Sequence, residues 1–110
     1  MTVVSVPPNA LSITLAHPGY DAEVLHALHL ITGRSLATLM TTLRSSETVC
    51  IAALYGNDHV QEVERLERTV EYLDGRGIEY LVHEWVDGQG ERISIDVMQQ
   101  IVEAAEGQYS

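Results

Sequence analysis

The segment Leu30-Ile31-Thr32-Gly33-Arg34-Ser35-Leu36 constrains this chain more than any other stretch. It reads as the end of one helix run directly into the start of another. Before it, Val24, Leu25, Leu28 and Ile31 recur at helical spacing, and Asp21 is placed to cap that helix. Glu23 falls in its first turn, where the helix dipole favours an acid. Gly33 suits the left-handed residue that closes a helix. After it, Ser35 is placed to cap a second, shorter helix with Leu36, Leu39, Met40 and Leu43 on one side, stopped by the polar cluster Arg44-Ser45-Ser46-Glu47. Two helices joined with almost no loop must bend about each other. Covering one face of a small sheet is the reason to do so, and glycine permits the turn.

The flanking segments supply that sheet. Leu11 to Ala16 alternates apolar and polar residues, the pattern of a half-buried strand. Thr48 to Tyr55 is a nearly continuous apolar run, β-branched at its start, which predicts a strand buried on both faces. Gly56-Asn57-Asp58 turns the chain into the longest helix, over 59–74, with Val60, Val63, Leu66, Val70 and Leu73 as its stripe. Gly75 and Gly77 end it, and 78–86 reads as a third strand. Asp87-Gly88-Gln89-Gly90 is a hairpin-type turn, which places 91–95 to pair back on that strand. Asp96 is then placed to cap a last helix with Val97, Met98, Ile101, Val102 and Ala105 facing inward. The expected fold is α+β. Its order is strand, helix, helix, strand, helix, strand, then a hairpin strand and a helix. Residues 1–9, closed by Pro7-Pro8-Asn9, form an arm; 10–86 form the domain, and 87–110 extend it.

At 110 residues the chain has room for one modest core. Six arginines, no lysine and sixteen acids give a formal charge of -10. Nucleic acid is not expected as a partner, because binding it depends on neutralising phosphates with cations. Anionic membrane surfaces are disfavoured for the same reason, and no apolar stretch is long enough to span a bilayer. Thirteen of the sixteen acids lie at or beyond Asp58, so the first half is nearly neutral. Met1 to Pro8 lacks the positive start and small-residue cleavage site of a signal peptide, and a cytoplasmic location is expected. The one cysteine, Cys50, lies in the apolar run Val49-Cys50-Ile51-Ala52-Ala53-Leu54. It has no partner for an internal disulfide or a Cys-x-x-Cys pair and reads as a small buried hydrophobe.

The stretch from Ala22 to Leu36, AEVLHALHLITGRSL, resembles the C-terminal domain of the bacterial ribosomal stalk protein, which carries a helix, a Thr-Gly-x-Gly-Leu elbow and a short second helix. The likeness runs without gaps from about Ala22 to Leu43, and Val24, Ala27, Ile31-Thr32-Gly33 and Leu36 mark it. The later order agrees in type across about residues 11–86; beyond Val86 the chain leaves the pattern. The resemblance implies a small βααβαβ sandwich of the stalk type, here with a C-terminal hairpin strand and helix. It also implies a partner face on the first two helices, where the family presents cations to translation GTPases. The matching positions here are Asp21, His26, His29, Ala37 and Met40, with no fixed cation among them. The same fold serves the adaptor that hands N-degron substrates to the Clp protease. That likeness points to the loop His17-Pro18-Gly19-Tyr20-Asp21, with His17, Tyr20 and Asp21 as an alternative peptide-binding set, although Asp21 alone remains of the adaptor's acidic residues.

AHPGYD also resembles the His-Pro-Asp-Asp motif of zinc-dependent sugar deacetylases, with Gly19 and Tyr20 where the aspartates belong. A small metal-dependent hydrolase at His17 is the corresponding rival. His26 and His29, at i and i+3, can touch one metal, but two ligands make no site without carboxylate or thiolate help. His59 and His83 have no visible companion. Trp85 and Tyr80 read as packing anchors. With no nucleophile elbow, phosphate-cradling glycine loop or spaced carboxylate pair, the expectation is a non-enzymatic interaction module or adaptor without cofactor or metal. Its bet surface is the helix pair, with His26 and His29 as polar contacts and Met40 as an apolar one. It meets a protein partner as a monomer or homodimer.

Overall fold

β1 (Asn9–Leu15) is the strand about which the sheet is built. In the computed structural model, which describes residues 9–17, 21–45, 48–54 and 59–107, β1 pairs antiparallel with both β2 (Thr48–Ala53) and β3 (Tyr80–Val86). β4 (Gln89–Ile93) adds antiparallel to β3, giving the order β2-β1-β3-β4. The helices are α1 (Ala22–Thr32), α2 (Leu36–Ser45), α3 (His59–Gly75) and α4 (Ile95–Gly107). The fold is α+β, with its elements in the order read from the sequence. Of the arm expected over 1–9, Asn9 instead opens β1 and 1–8 lie outside the described residues, as does the turn at 56–58.

Strand alternation assigns the two faces of the sheet. Leu11, Ile13 and Leu15 of β1 share one apolar cluster with Cys50, Ala52 and Val82, and that cluster takes in buried residues of every helix. Val24 and Leu28 come from α1, Leu39 and Leu43 from α2, Leu66 and Leu73 from α3, and Met98 and Val102 from α4. The opposite face carries Ser12, Thr14, Ile51, Leu81, His83 and Trp85, none of which belongs to the cluster. The helices therefore lie on one side.

That arrangement corrects the reading of β2. Val49, Cys50 and Ala52 are buried, but Thr48, Ile51 and Ala53 are only half-buried, because they point to the helix-free face. Other corrections are local. Val60 is 61% exposed and Val97 39%, so neither belongs to the inward stripe assigned to it. Leu36 is 43% exposed, leaving Leu39 and Leu43 to dock α2. The hairpin is tighter than expected. Asp87 and Gly88 alone form the turn, both at positive φ (50° and 83°), and Val86 pairs with Gln89. The last helix is capped by Ser94, whose Oγ accepts from Val97 N–H at 3.2 Å, in place of Asp96. An earlier strand leaves room for an earlier cap.

Candidate functional site

The α1–α2 elbow is held by its own hydrogen bonds. Gly33, at φ 74°, turns its N–H to His29 O at 3.0 Å and closes α1. Thr32 is buried and donates its hydroxyl to Leu28 O at 2.7 Å, while Arg34 N–H donates back to Thr32 Oγ1 at 3.2 Å. Ser35 Oγ accepts from Thr38 N–H at 3.1 Å, the N-cap expected of it. His29 Nδ1 lies 2.6 Å from Arg34 O. A carbonyl oxygen only accepts, so the ring proton sits on Nδ1 and the imidazole braces the elbow. Arg34 then reaches the sheet, donating Nη1 to Thr48 O at 2.8 Å.

His26 is exposed, whereas His29 and Met40 are half-buried. His26 is thus available to a partner, and His29 is already engaged within the chain. Sequence reading passed over two residues here. Leu30 is 67% exposed; it stands roughly 200° around the helix from Leu28, an outward placement that the helical period alone gives. Arg34 carried no such signal, because nothing local says where a lone arginine between two helices will reach.

The two described ends of the His17–Asp21 loop, His17 and Asp21, are engaged within the chain. Asp21 caps α1, its Oδ1 accepting from Val24 N–H at 2.8 Å. Arg76 donates to Glu23 at 2.8 Å and stands 3.8 Å from Asp21 Oδ2. His17 Nε2 pairs with Glu79 at 3.1 Å, both side chains being exposed. Tyr20 lies outside the described residues. Exposed pairs of this kind contribute at most about 1 kcal/mol.

On the opposite face Trp85 donates Nε1–H to Ser12 Oγ at 2.8 Å, and its ring lies 6.4 Å from that of His83. Tyr80 donates to Asp74 Oδ1 at 2.9 Å; burial, then this bond and the Asp74 charge, push its pKa up to about 12. Burial also pushes the Cys50 thiol up, against a Thr69 hydrogen bond and the Arg34 and Arg65 charges. Among the described residues no three His, Cys, Asp or Glu side chains are grouped to hold a metal, and no helix is long and apolar enough to cross a membrane. Comparison with protein families, with characterised sequences and with solved structures returns no match.

Proposed function

We propose that this chain is a small acidic, non-enzymatic protein–protein interaction module that meets its partner through the outer flank of the α1–α2 pair. The observation that carries the reading is the exposure of two leucines on either side of the elbow. Leu30 is 67% and Leu36 43% exposed, each within one turn of Gly33, with Met40 half-buried beyond them. A single exposed leucine means little, but two on adjoining helix ends give an interface apolar side chains to bury. His26, one turn before Leu30, supplies the polar contact, and His29 holds the two helices at their angle. The nearly neutral first half lets this flank approach acidic partners without strong repulsion. The order β-α-α-β-α-β up to Val86 supports an architecture of the stalk or Clp-adaptor type.

The test compares partner capture by three tagged proteins: wild type, a His26→Glu, Leu30→Asp double variant, and a Glu64→Gln, Glu71→Gln double variant on the outer side of α3. Loss confined to the first variant is expected. Capture that survives the α1 changes and fails on the α3 changes overturns the choice of surface.

A further inference from the structure

An edge strand turns the N–H and C=O of every second residue away from its neighbour, where another strand can pair with them. This sheet has two edges of unlike chemistry. β4 reads Gln89-Gly90-Glu91-Arg92-Ile93, with glycine and two charges at its centre, features that guard an edge against pairing. β2 reads Thr48-Val49-Cys50-Ile51-Ala52-Ala53, without charge, glycine or proline. Ladder parity identifies its free groups. Leu54 N–H donates to Asn9 O at 2.9 Å, so Leu54, Ala52 and Cys50 bond toward β1 while Ile51 and Ala53 point outward. Among the described residues, neither Ile51 nor Ala53 makes a backbone bond outside the sheet.

The Thr48 end of the same edge is closed. The Arg34 guanidinium donates to Thr48 O, so that backbone acceptor is already engaged within the chain. Beside it is a cavity of about 190 Å³ lined by Thr32, Arg34, Cys50, Ile51, Glu62 and Arg65. Two of the chain's six cations meet one acid there, so the groove is net positive in a chain of charge -10. Arg65 is exposed and makes no ion pair among the described residues.

We infer that this groove takes the C-terminal end of an extended peptide, which adds antiparallel to β2 at Ile51 and Ala53 and sets its terminal carboxylate between Arg34 and Arg65. A strand pairing along the open half finds Thr48 O already engaged by Arg34, which fits a chain end and not a through-going segment. The guanidinium pair selects a carboxylate end over an ammonium. A chain arriving at Thr48 by its C-terminus runs opposite to β2, which starts there. Glu62 leaves one net positive charge, sufficient for a single carboxylate and unfavourable to a second acid beside it. The groove borders the elbow through Thr32 and Arg34 but includes none of His26, Leu30, Leu36 and Met40, so either assignment can fail alone.

The test uses the full ¹⁵N-labelled chain and three randomised hexapeptide pools: acetylated with a free carboxylate, acetylated with a carboxamide, and free-amine with a carboxamide. Backbone pairing and the terminal carboxylate are common to every member of the first pool, so no sequence need be chosen beforehand. The first pool is expected to shift the Ile51 and Ala53 amide resonances and slow their hydrogen exchange at least about tenfold, with no such effect from the others. Arg65→Gln, a change at an exposed residue outside the core, should weaken that response about tenfold; Arg34→Gln should do the same but also loosens Thr48. A response to the acetylated carboxamide pool would assign the carboxylate to internal Asp or Glu side chains and overturn the terminal reading. A response to the free-amine pool alone would assign the site to ammonium capture by Glu62. No shift at Ile51 and Ala53 up to millimolar peptide would overturn the groove altogether.

Discussion

Trp85 on β3 donates its indole N–H to the buried hydroxyl of Ser12 on β1, at 2.8 Å, on the face that no helix covers. The benzo edge of the same ring extends the other way, over β4. A Cβ built on Gly90 would stand 2.9 Å from both Cη2 and Cζ3 of Trp85. One side chain thus ties three strands together on a face that, among the described residues, no helix covers. Gly90→Ala should push the ring off its seat, cost about 1–3 kcal/mol and red-shift the Trp85 emission as the indole meets water. Ser12→Ala leaves the indole N–H without its acceptor and should cost about 1–3 kcal/mol with a smaller spectral change. Wild-type melting and emission in Gly90→Ala would mean that the ring does not lie over β4.

Leu28 and Leu30 are two residues apart on α1 and face opposite environments. Leu28 is 0% exposed and Leu30 67%. Leu28→Asp buries an unpaired charge and should cost several kcal/mol, close to the whole stability of a domain this size. Leu30→Asp should change stability by less than about half a kcal/mol. Urea unfolding of the two variants side by side checks both, and similar midpoints would mean that α1 is rotated from its described setting.

The contrast between those two leucines also explains what the sequence made legible. Element order, the α1 stripe at Val24 and Leu28, the Asp21 and Ser35 caps and the Gly33 stop follow from local spacing and capping chemistry, which act over three or four residues. Val60, Val97 and Leu36 went astray because an apolar residue at the end of a helix fits the helical period whether or not the core extends that far. Thr48–Ala53 misled because an edge strand open on one face can still be apolar throughout. The candidate site was less legible than the fold. His26 and His29 look alike in the sequence, yet one is exposed and the other braces Arg34 O, a distinction created only when the elbow closes.

Tyr80 gives a pH signature. Its pKa, pushed up to about 12 by burial and by Asp74, exceeds the ordinary value of 10.0. A group whose folded pKa is raised adds stability that is fully present below the unfolded value and is lost as pH rises through the folded one. Wild type should therefore lose stability relative to Tyr80→Phe between about pH 10 and 12, and the two should run parallel below that window. Ultraviolet titration of the folded chain should show a phenolate component near pH 12 that vanishes in Tyr80→Phe. Parallel behaviour across the whole range would mean that burial and Asp74 together do not raise the Tyr80 pKa.

Asp21 does two jobs that can be separated. Its Oδ1 accepts from Val24 N–H at 2.8 Å, and its charge sits at the N-terminus of α1 with Arg76 Nη2 3.8 Å from Oδ2. Asparagine caps a helix about as well as aspartate, so Asp21→Asn keeps the hydrogen bond and loses only the dipole and ion-pair contributions, together below about 1 kcal/mol at this exposure. Asp21→Ala loses the cap too, a further 0.5–2 kcal/mol or about that. The expected order of stability is wild type, then Asn, then Ala. Salt discriminates the two contributions. Raising ionic strength to about 0.5 M screens exposed charges and should narrow the gap between wild type and Asn, while the gap between Asn and Ala, which is a hydrogen bond to backbone, should persist. If Asn falls as far as Ala, the capping bond is not what fixes the start of α1; if salt leaves the first gap unchanged, the Asp21 charge is not what separates wild type from Asn.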